Sequence, residues 1–222
     1  MSTKLADLAR TLNLTFGPLP RQPRWPGRDR NIDPPRAFVM TDTVRLADPE
    51  ALLEALPSDV AMIFRHYDHP RRHALALRLV SQARRRGVRV LIAGDAELAL
   101  RTDAHGVHLP GYLLGRMTAA RLTSRRANWL VTAAVHNRRE LANAQAQGLD
   151  AVLVSPVFAT STHVGQRPLG LAGIRDFVRA SSLPVFALGG VEGTNLRRLR
   201  SVKLAGCAGI DLFTVKPNGA VG

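Results

Sequence analysis

Alternation, strand count and the character of the strand ends predict a single parallel (β/α)8 barrel. From residue 36 onward, apolar runs of four to eight residues alternate with longer amphipathic stretches. That pattern belongs to buried parallel strands joined by crossover helices. The strand-like runs number eight, which favours a closed barrel over an open sheet. Two of them run into loops rich in hydroxyls or glycine, where parallel α/β proteins carry their ligands. At 222 residues and 45% hydrophobic content the chain suffices for one such core.

In chain order, Leu5, Leu8, Ala9 and Leu12 sit at helical spacing and predict a short helix over residues 2–12. Residues 17–35 scatter Pro18, Pro20, Pro23, Pro26, Pro34 and Pro35 among arginines, which reads as an extended connector. Residues 1–35 are therefore an N-terminal extension and 36–222 the barrel domain. Strands are predicted at 37–41, 60–65, 88–93, 106–109, 129–135, 151–157, 184–188 and 208–213. Helices are predicted near 49–56, 71–86, 96–103, 113–125, 138–147, 171–181 and 194–203. The last strand is followed by Lys216-Pro217-Asn218-Gly219, a poor helix start. A regular eighth helix is thus expected to be missing, with the N-terminal helix covering part of the gap. The apolar patch left over would suit a second copy of the chain.

Composition narrows the function. The formal net charge is +14 and is carried mostly by arginine, which suits phosphate-bearing partners. Yet Arg84-Arg85-Arg86, Arg125-Arg126 and Arg197-Arg198 fall at the ends of predicted helices, where cations suit the helix dipole and solvent. With no recognition helix, zinc spacing or aromatic RNA-binding strand, specific nucleic-acid binding is not expected. The single cysteine, Cys207, excludes an internal disulfide framework and fits a reducing cytosol. No apolar run approaches the roughly 18 residues that cross a bilayer, and no signal-peptide stretch opens the chain. A cytoplasmic protein without a membrane partner is expected.

Barrel chemistry gathers at the C-terminal ends of the strands. The loop Ala187-Leu188-Gly189-Gly190-Val191 follows strand seven, and Leu212-Phe213-Thr214 ends strand eight. Glycines there would let backbone N–H groups approach a phosphate, with Thr214 as a further donor. The alternative is a tight turn that needs Gly-Gly for conformation alone; the barrel order favours the phosphate. Thr160 and Thr162 could hold a second anionic group or merely cap a turn. His136 closes strand five and is placed to exchange protons. Arg65 could clamp an anion, while Asp95 could position an amine or a metal, although a lone carboxylate is a weak Mg²⁺ site. His108 reads as inward-facing core. Together these predict a barrel for a small phosphorylated ligand.

From about Arg36 to Thr214 the chain resembles the thiamine phosphate synthase family, which includes the related thiazole tautomerases of the TenI type. The resemblance rests on Gly106-Val107-His108-Leu109, Ser155-Pro156-Val157-Phe158 with Thr160 and Thr162, Pro168-Leu169-Gly170 and Ala187-Leu188-Gly189-Gly190-Val191. It implies a TIM barrel acting on phosphorylated thiazole and pyrimidine compounds in thiamine biosynthesis. It also implies Arg65 as a diphosphate contact, Asp95 as a Mg²⁺ ligand, and Thr160 and Thr162 as loop contacts. Gly190 with Phe213 and Thr214 would cradle the thiazole phosphate.

The departures cluster. Of the strand-two glutamine, arginine and lysine only Arg65 remains, between Ile63 and Tyr67. The asparagine before the aspartate is Gly94, the second metal aspartate is Leu113, the strand-five serine is Ala134, and the loop lysine is His163. A departing diphosphate needs Mg²⁺ and cations around its developing charge, so the synthase half of the site is eroded. The resemblance thus favours the tautomerase branch, in which the histidine matching His136 shuttles a proton and no metal is required. An active, Mg²⁺-dependent synthase and a non-catalytic binder of thiamine intermediates are the alternatives.

Overall fold

The computed structural model describes residues 35–46, 48–116, 118, 121–122, 124, 126–160, 165, 167–210 and 212. The predicted N-terminal helix and the extension up to residue 34 lie outside these residues, as do Thr162, Phe213, Thr214 and the segment expected to lack an eighth helix.

Within them the chain runs β1 (Ala37–Met40), α1 (Pro49–Ala55), β2 (Val60–Phe64), α2 (Arg72–Arg86), β3 (Arg89–Ala93), α3 (Ala96–Arg101) and β4 (Gly106–Leu109). It continues through a 3-10 turn (Gly111–Leu113), β5 (Leu130–Val135), α4 (Arg138–Ala146), β6 (Ala151–Val154), α5 (Gly170–Ala180), β7 (Val185–Ala187), a 3-10 helix (Leu196–Ser201) and β8 (Gly206–Gly209). The strands are parallel and close in sequential order, β8 returning to β1 with Ala37 opposite Cys207. The predicted closed barrel is what forms.

Period-two alternation sorts the strand residues. Phe38, Met40, Ala61, Ile63, Leu91, Ala93, Leu130, Leu153, Phe186 and Ala208 fill the barrel interior, where Phe38 meets Phe186 edge to face at 4.9 Å. Their neighbours Val39, Met62, Val90, Ile92, Val107, Val131 and Val152 face the outer helices. Cys207 is fully buried among the outward-facing set, and burial pushes its thiol up, so it stays protonated. Carried past each strand end, the inward parity lands on Arg65, His136, Ser155, Leu188 and Ile210, and all five line the barrel mouth.

Three expectations need correction. Strand eight spans Gly206–Gly209 and not 208–213. The bulkier Ile210 and Leu212 drew the prediction late, whereas the barrel needs small residues here. A Cβ on Gly206 would strike the carbonyl of Arg36 and sit 2.8 Å from the Phe186 ring. The predicted helix at 194–203 is a 3-10 helix. Its apolar residues Leu196, Leu199 and Val202 recur at a strict three-residue spacing, which the three-fold turn aligns on one face. Strand six stops at Val154, and residues 155–157 form the start of a loop whose Val157 N–H donates to Leu188 O at 2.9 Å. Part of the predicted helix 113–125 lies outside the described residues; its first residue, Leu113, ends a 3-10 turn that begins at Gly111.

Candidate active site

The strand ends enclose a cavity of about 640 Å³ at the C-terminal mouth. Arg65, His136, Thr160, Gly189 and Gly190 meet there, with the unpredicted Arg45, Tyr67, Tyr112, Glu140 and Glu192.

One side of this mouth is backbone. Gly189 and Gly190 take φ values of 87° and 63°, the left-handed region that suits glycine. Space demands glycine as well: a Cβ on Gly190 would collide with the carbonyl of Ala159 and come within 2.9 Å of Phe158, and one on Gly189 would lie 2.9 Å from Pro156 Cα. The loop's carbonyls are consumed. Leu188 O accepts from Val157 N, Gly189 O from Phe158 N at 3.0 Å, and Gly190 O from Asn195 Nδ2 at 2.7 Å. Among the described residues, the N–H groups of Gly189 and Gly190 donate to no protein acceptor. Two adjacent N–H groups without a protein acceptor at a cavity wall have the donor chemistry that suits an anion. The neighbouring β8 wall is Gly209 and Ile210.

The opposite side is built from side chains that satisfy one another. Asp95 caps α3, its Oδ1 accepting from Leu98 N at 2.9 Å. Its Oδ2 accepts from Arg72 Nη1 at 2.8 Å, and Arg72 Nη2 donates to Ala93 O at 3.0 Å. The same guanidinium lies 5.6 Å from the centroid of Tyr67 and 5.8 Å from that of Phe64. Asp95 is not part of the cavity wall. A Cβ on Gly94 would lie 3.5 Å from Tyr67 and 3.6 Å from the Tyr112 hydroxyl. Two tyrosines therefore occupy this end of the mouth.

Asp95, the one carboxylate the sequence offered for Mg²⁺, is already engaged by the protein. Each Asp95 carboxylate oxygen already has a partner, one of them a cation, and hard divalent cations take several oxygen ligands. Among the described residues no group of three His, Cys, Asp or Glu side chains converges to hold a metal.

Between the two sides stands His136. Its Nδ1 is 3.1 Å from Glu140 Oε2, which also accepts from the His136 backbone N–H at 2.7 Å. Below it, His108 is buried, with Nδ1 2.9 Å from Thr132 Oγ1. Burial, reinforced by the nearby Arg65 charge, lowers its pKa to about 3, so it is neutral in the working range. At the β1 end, Asp42 folds its loop by accepting from Val44 N at 3.0 Å, Arg45 N at 2.9 Å and Arg45 Nη2 at 3.2 Å. Burial would raise the Asp42 carboxyl, but these donors outweigh it and hold it below its ordinary value. The Asp42 contact helps to aim Arg45 at the mouth. No signal short of the fold marked Arg45 or Glu192, whereas Glu140 was readable as the last residue of an Asn-x-x-Glu helix start.

A sequence profile described as thiamine monophosphate synthase (TMP-TENI) matches residues 38–213. The chain belongs to this family. It is 30% identical over 185 residues to the thiamine-phosphate synthase of Chloroflexus aurantiacus, covering 79% of this chain and 82% of that protein. It is 31% identical over 180 residues to the thiamine-phosphate synthase of a Synechococcus species, covering 78% of this chain but 50% of that protein. Among solved structures, thiamine phosphate pyrophosphorylase from Pyrococcus furiosus superposes with a TM-score of 0.66 at 26% identity, over 78% of this chain and 84% of that one. The barrel of this thiamine-biosynthesis family is thus the barrel observed. Among the described residues no helix is long and apolar enough to cross a membrane.

Proposed function

We propose that the mouth binds a thiazole monophosphate and catalyses a tautomerase-like proton transfer on it, with His136 as acid and base. The observation that carries this reading is the contrast across the cavity. Gly189 and Gly190 offer two N–H donors to a phosphoryl group, while Asp95 is tied to Arg72 and Leu98 N.

The phosphate anchors the ligand at the β7 loop, with Thr160 beside it. The thiazole then lies across the mouth toward Arg65, over the buried and neutral His108. His136 removes a proton from ring carbon and a proton is returned elsewhere on the ligand, so the product is an isomer of the substrate. No leaving group departs, and no diphosphate charge has to be neutralised. A positioned general acid–base of this kind supplies about 10²–10⁴-fold in rate.

The test supplies the thiazole phosphate carboxylate tautomer and follows aromatisation by absorbance. Turnover by wild type and a loss of about 10²-fold or more in His136→Ala, with ligand affinity retained, is the expected result. Equal rates in the two proteins would remove His136 from the mechanism. Rapid Mg²⁺-dependent condensation of thiazole phosphate with the aminopyrimidine methyl diphosphate would replace this reading with a competent synthase. Tight binding without turnover in either assay would leave a non-catalytic carrier.

A further inference from the structure

We infer that Glu140 is the positioning residue of His136: it fixes the imidazole in the Nδ1–H tautomer, so that proton exchange with the ligand runs through Nε2. This rests on the proposed role of His136 and adds the group that prepares it.

The local sequence builds the arrangement. Asn137 caps α4 by accepting from Glu140 N at 2.9 Å, and its Nδ2 donates to Glu140 Oε1, also at 2.9 Å. That reciprocal pair holds the carboxylate in one orientation. Oε2 is then presented to residue 136, where it accepts from the backbone N–H at 2.7 Å and faces Nδ1 at 3.1 Å. A carboxylate oxygen only accepts, so the Nδ1 contact is a hydrogen bond when Nδ1 carries the proton. In a neutral imidazole the other nitrogen, Nε2, is then the basic one.

Ring orientation has a second determinant. A Cβ on Gly111 would lie 3.3 Å from both His136 Cε1 and Nδ1, so the imidazole rests against bare backbone of the 3-10 turn. A Cβ here would press on the ring by a few tenths of an ångström; the Gly111 backbone is not in the left-handed region. Carboxylate on one edge and glycine on one face leave the ring little freedom. The other charged or titratable groups lining the cavity are Arg45, Arg65, Tyr67, His108, Tyr112 and Glu192. His108 is neutral in the working range, and Tyr112 is an exposed phenol. Glu140 is the carboxylate in hydrogen-bond range of Nδ1, at 3.1 Å.

The experiment is nitrogen NMR of the imidazoles in wild type and Glu140→Gln, in alkaline buffer where histidine is neutral, alongside steady-state kinetics. Wild type is expected to show His136 as the Nδ1–H form. Glu140→Gln keeps the side chain's length and a carbonyl acceptor for the backbone N–H, yet replaces the carboxylate. It should shift the tautomer signal and lower kcat by at least about 10-fold with little change in KM, since a wrong tautomer impairs chemistry and not binding. Gly111→Ala should give a smaller change in the same direction by displacing the ring. An Nε2–H tautomer in wild type overturns the inference, as does an unchanged tautomer and kcat in Glu140→Gln. If Glu140→Gln does not fold, the wild-type tautomer still decides. The NMR signature reads the positioning whether or not His136→Ala retains activity, so failure of the proton-transfer reading is seen separately.

Discussion

The two sides of the barrel mouth solve opposite problems with the same fold. On the β7 side the carbonyls are engaged by neighbouring loops, and the N–H groups of two cavity-lining glycines have no protein acceptor among the described residues. On the β3 side Arg72 Nη1 donates to Asp95, and Tyr67 packs against the same guanidinium. In the proposed reading the first side takes the phosphoryl group, whereas on the second the Asp95 carboxylate already faces a cation. The contrast teaches that one strand end can keep its backbone donors open while another engages its carboxylate with a neighbouring guanidinium.

The strongest way to break the contrast is Gly190→Ala. The new Cβ collides with the Ala159 carbonyl and Phe158, at a φ of 63° that alanine disfavours. Thiazole monophosphate binding should fall by roughly 100-fold or more and stability by about 1–3 kcal/mol, measured by calorimetry and denaturant unfolding. A variant that binds normally would remove the glycine cradle from the account.

Arg72→Met probes the opposite side. It strips Asp95 of its cation and Tyr67 of its stacking partner, so a loss of about 1–2 kcal/mol in stability is expected, with monophosphate affinity unchanged. A large affinity loss would mean that Arg72 serves the ligand and not the fold.

The shared floor is tested by pH. The His108 imidazole has a pKa near 6.5 when unfolded and about 3 when folded, so between those values the unfolded chain binds the extra proton. Stability present above pH 6.5 is therefore lost as the pH falls toward 3, by up to about 1.4 kcal/mol per pH unit. His108→Asn should flatten that acid limb by one proton's worth. His66 and His105, whose pKa values burial also lowers, keep their share. An acid limb as steep in the variant as in wild type would contradict the neutral floor.

Tyr112→Ala should have the smallest effect. The side chain is 68% exposed, so unfolding should shift by less than about 0.5 kcal/mol, and monophosphate affinity by only a few-fold. A larger change would make the tyrosine end of the mouth a principal ligand contact.

The barrel was legible because buried parallel strands announce themselves as short apolar runs, and eight of them leave few topologies. It failed at β8, where Gly206, Cys207, Ala208 and Gly209 are poor strand formers chosen for space beside Phe186 and Arg36. It failed again at 196–201, because a three-residue and a 3.6-residue repeat are hard to separate over two turns. At the site, Arg65, His136, Thr160, Gly189 and Gly190 could be found from strand ends and inward parity. Arg72 could not: nothing in an α2 residue reveals a contact to Asp95, which is 23 positions away. The Asn137-x-x-Glu140 spacing was visible, but its link to His136 required the folded loop.

The most direct measurement of the central claim is a calorimetric comparison on the wild-type protein, titrating thiazole monophosphate alone and inorganic pyrophosphate with Mg²⁺. The account predicts saturable binding of the monophosphate without metal and no Mg²⁺-dependent binding of pyrophosphate. Tight Mg²⁺-dependent pyrophosphate binding, or a monophosphate that fails to bind without metal, would contradict it.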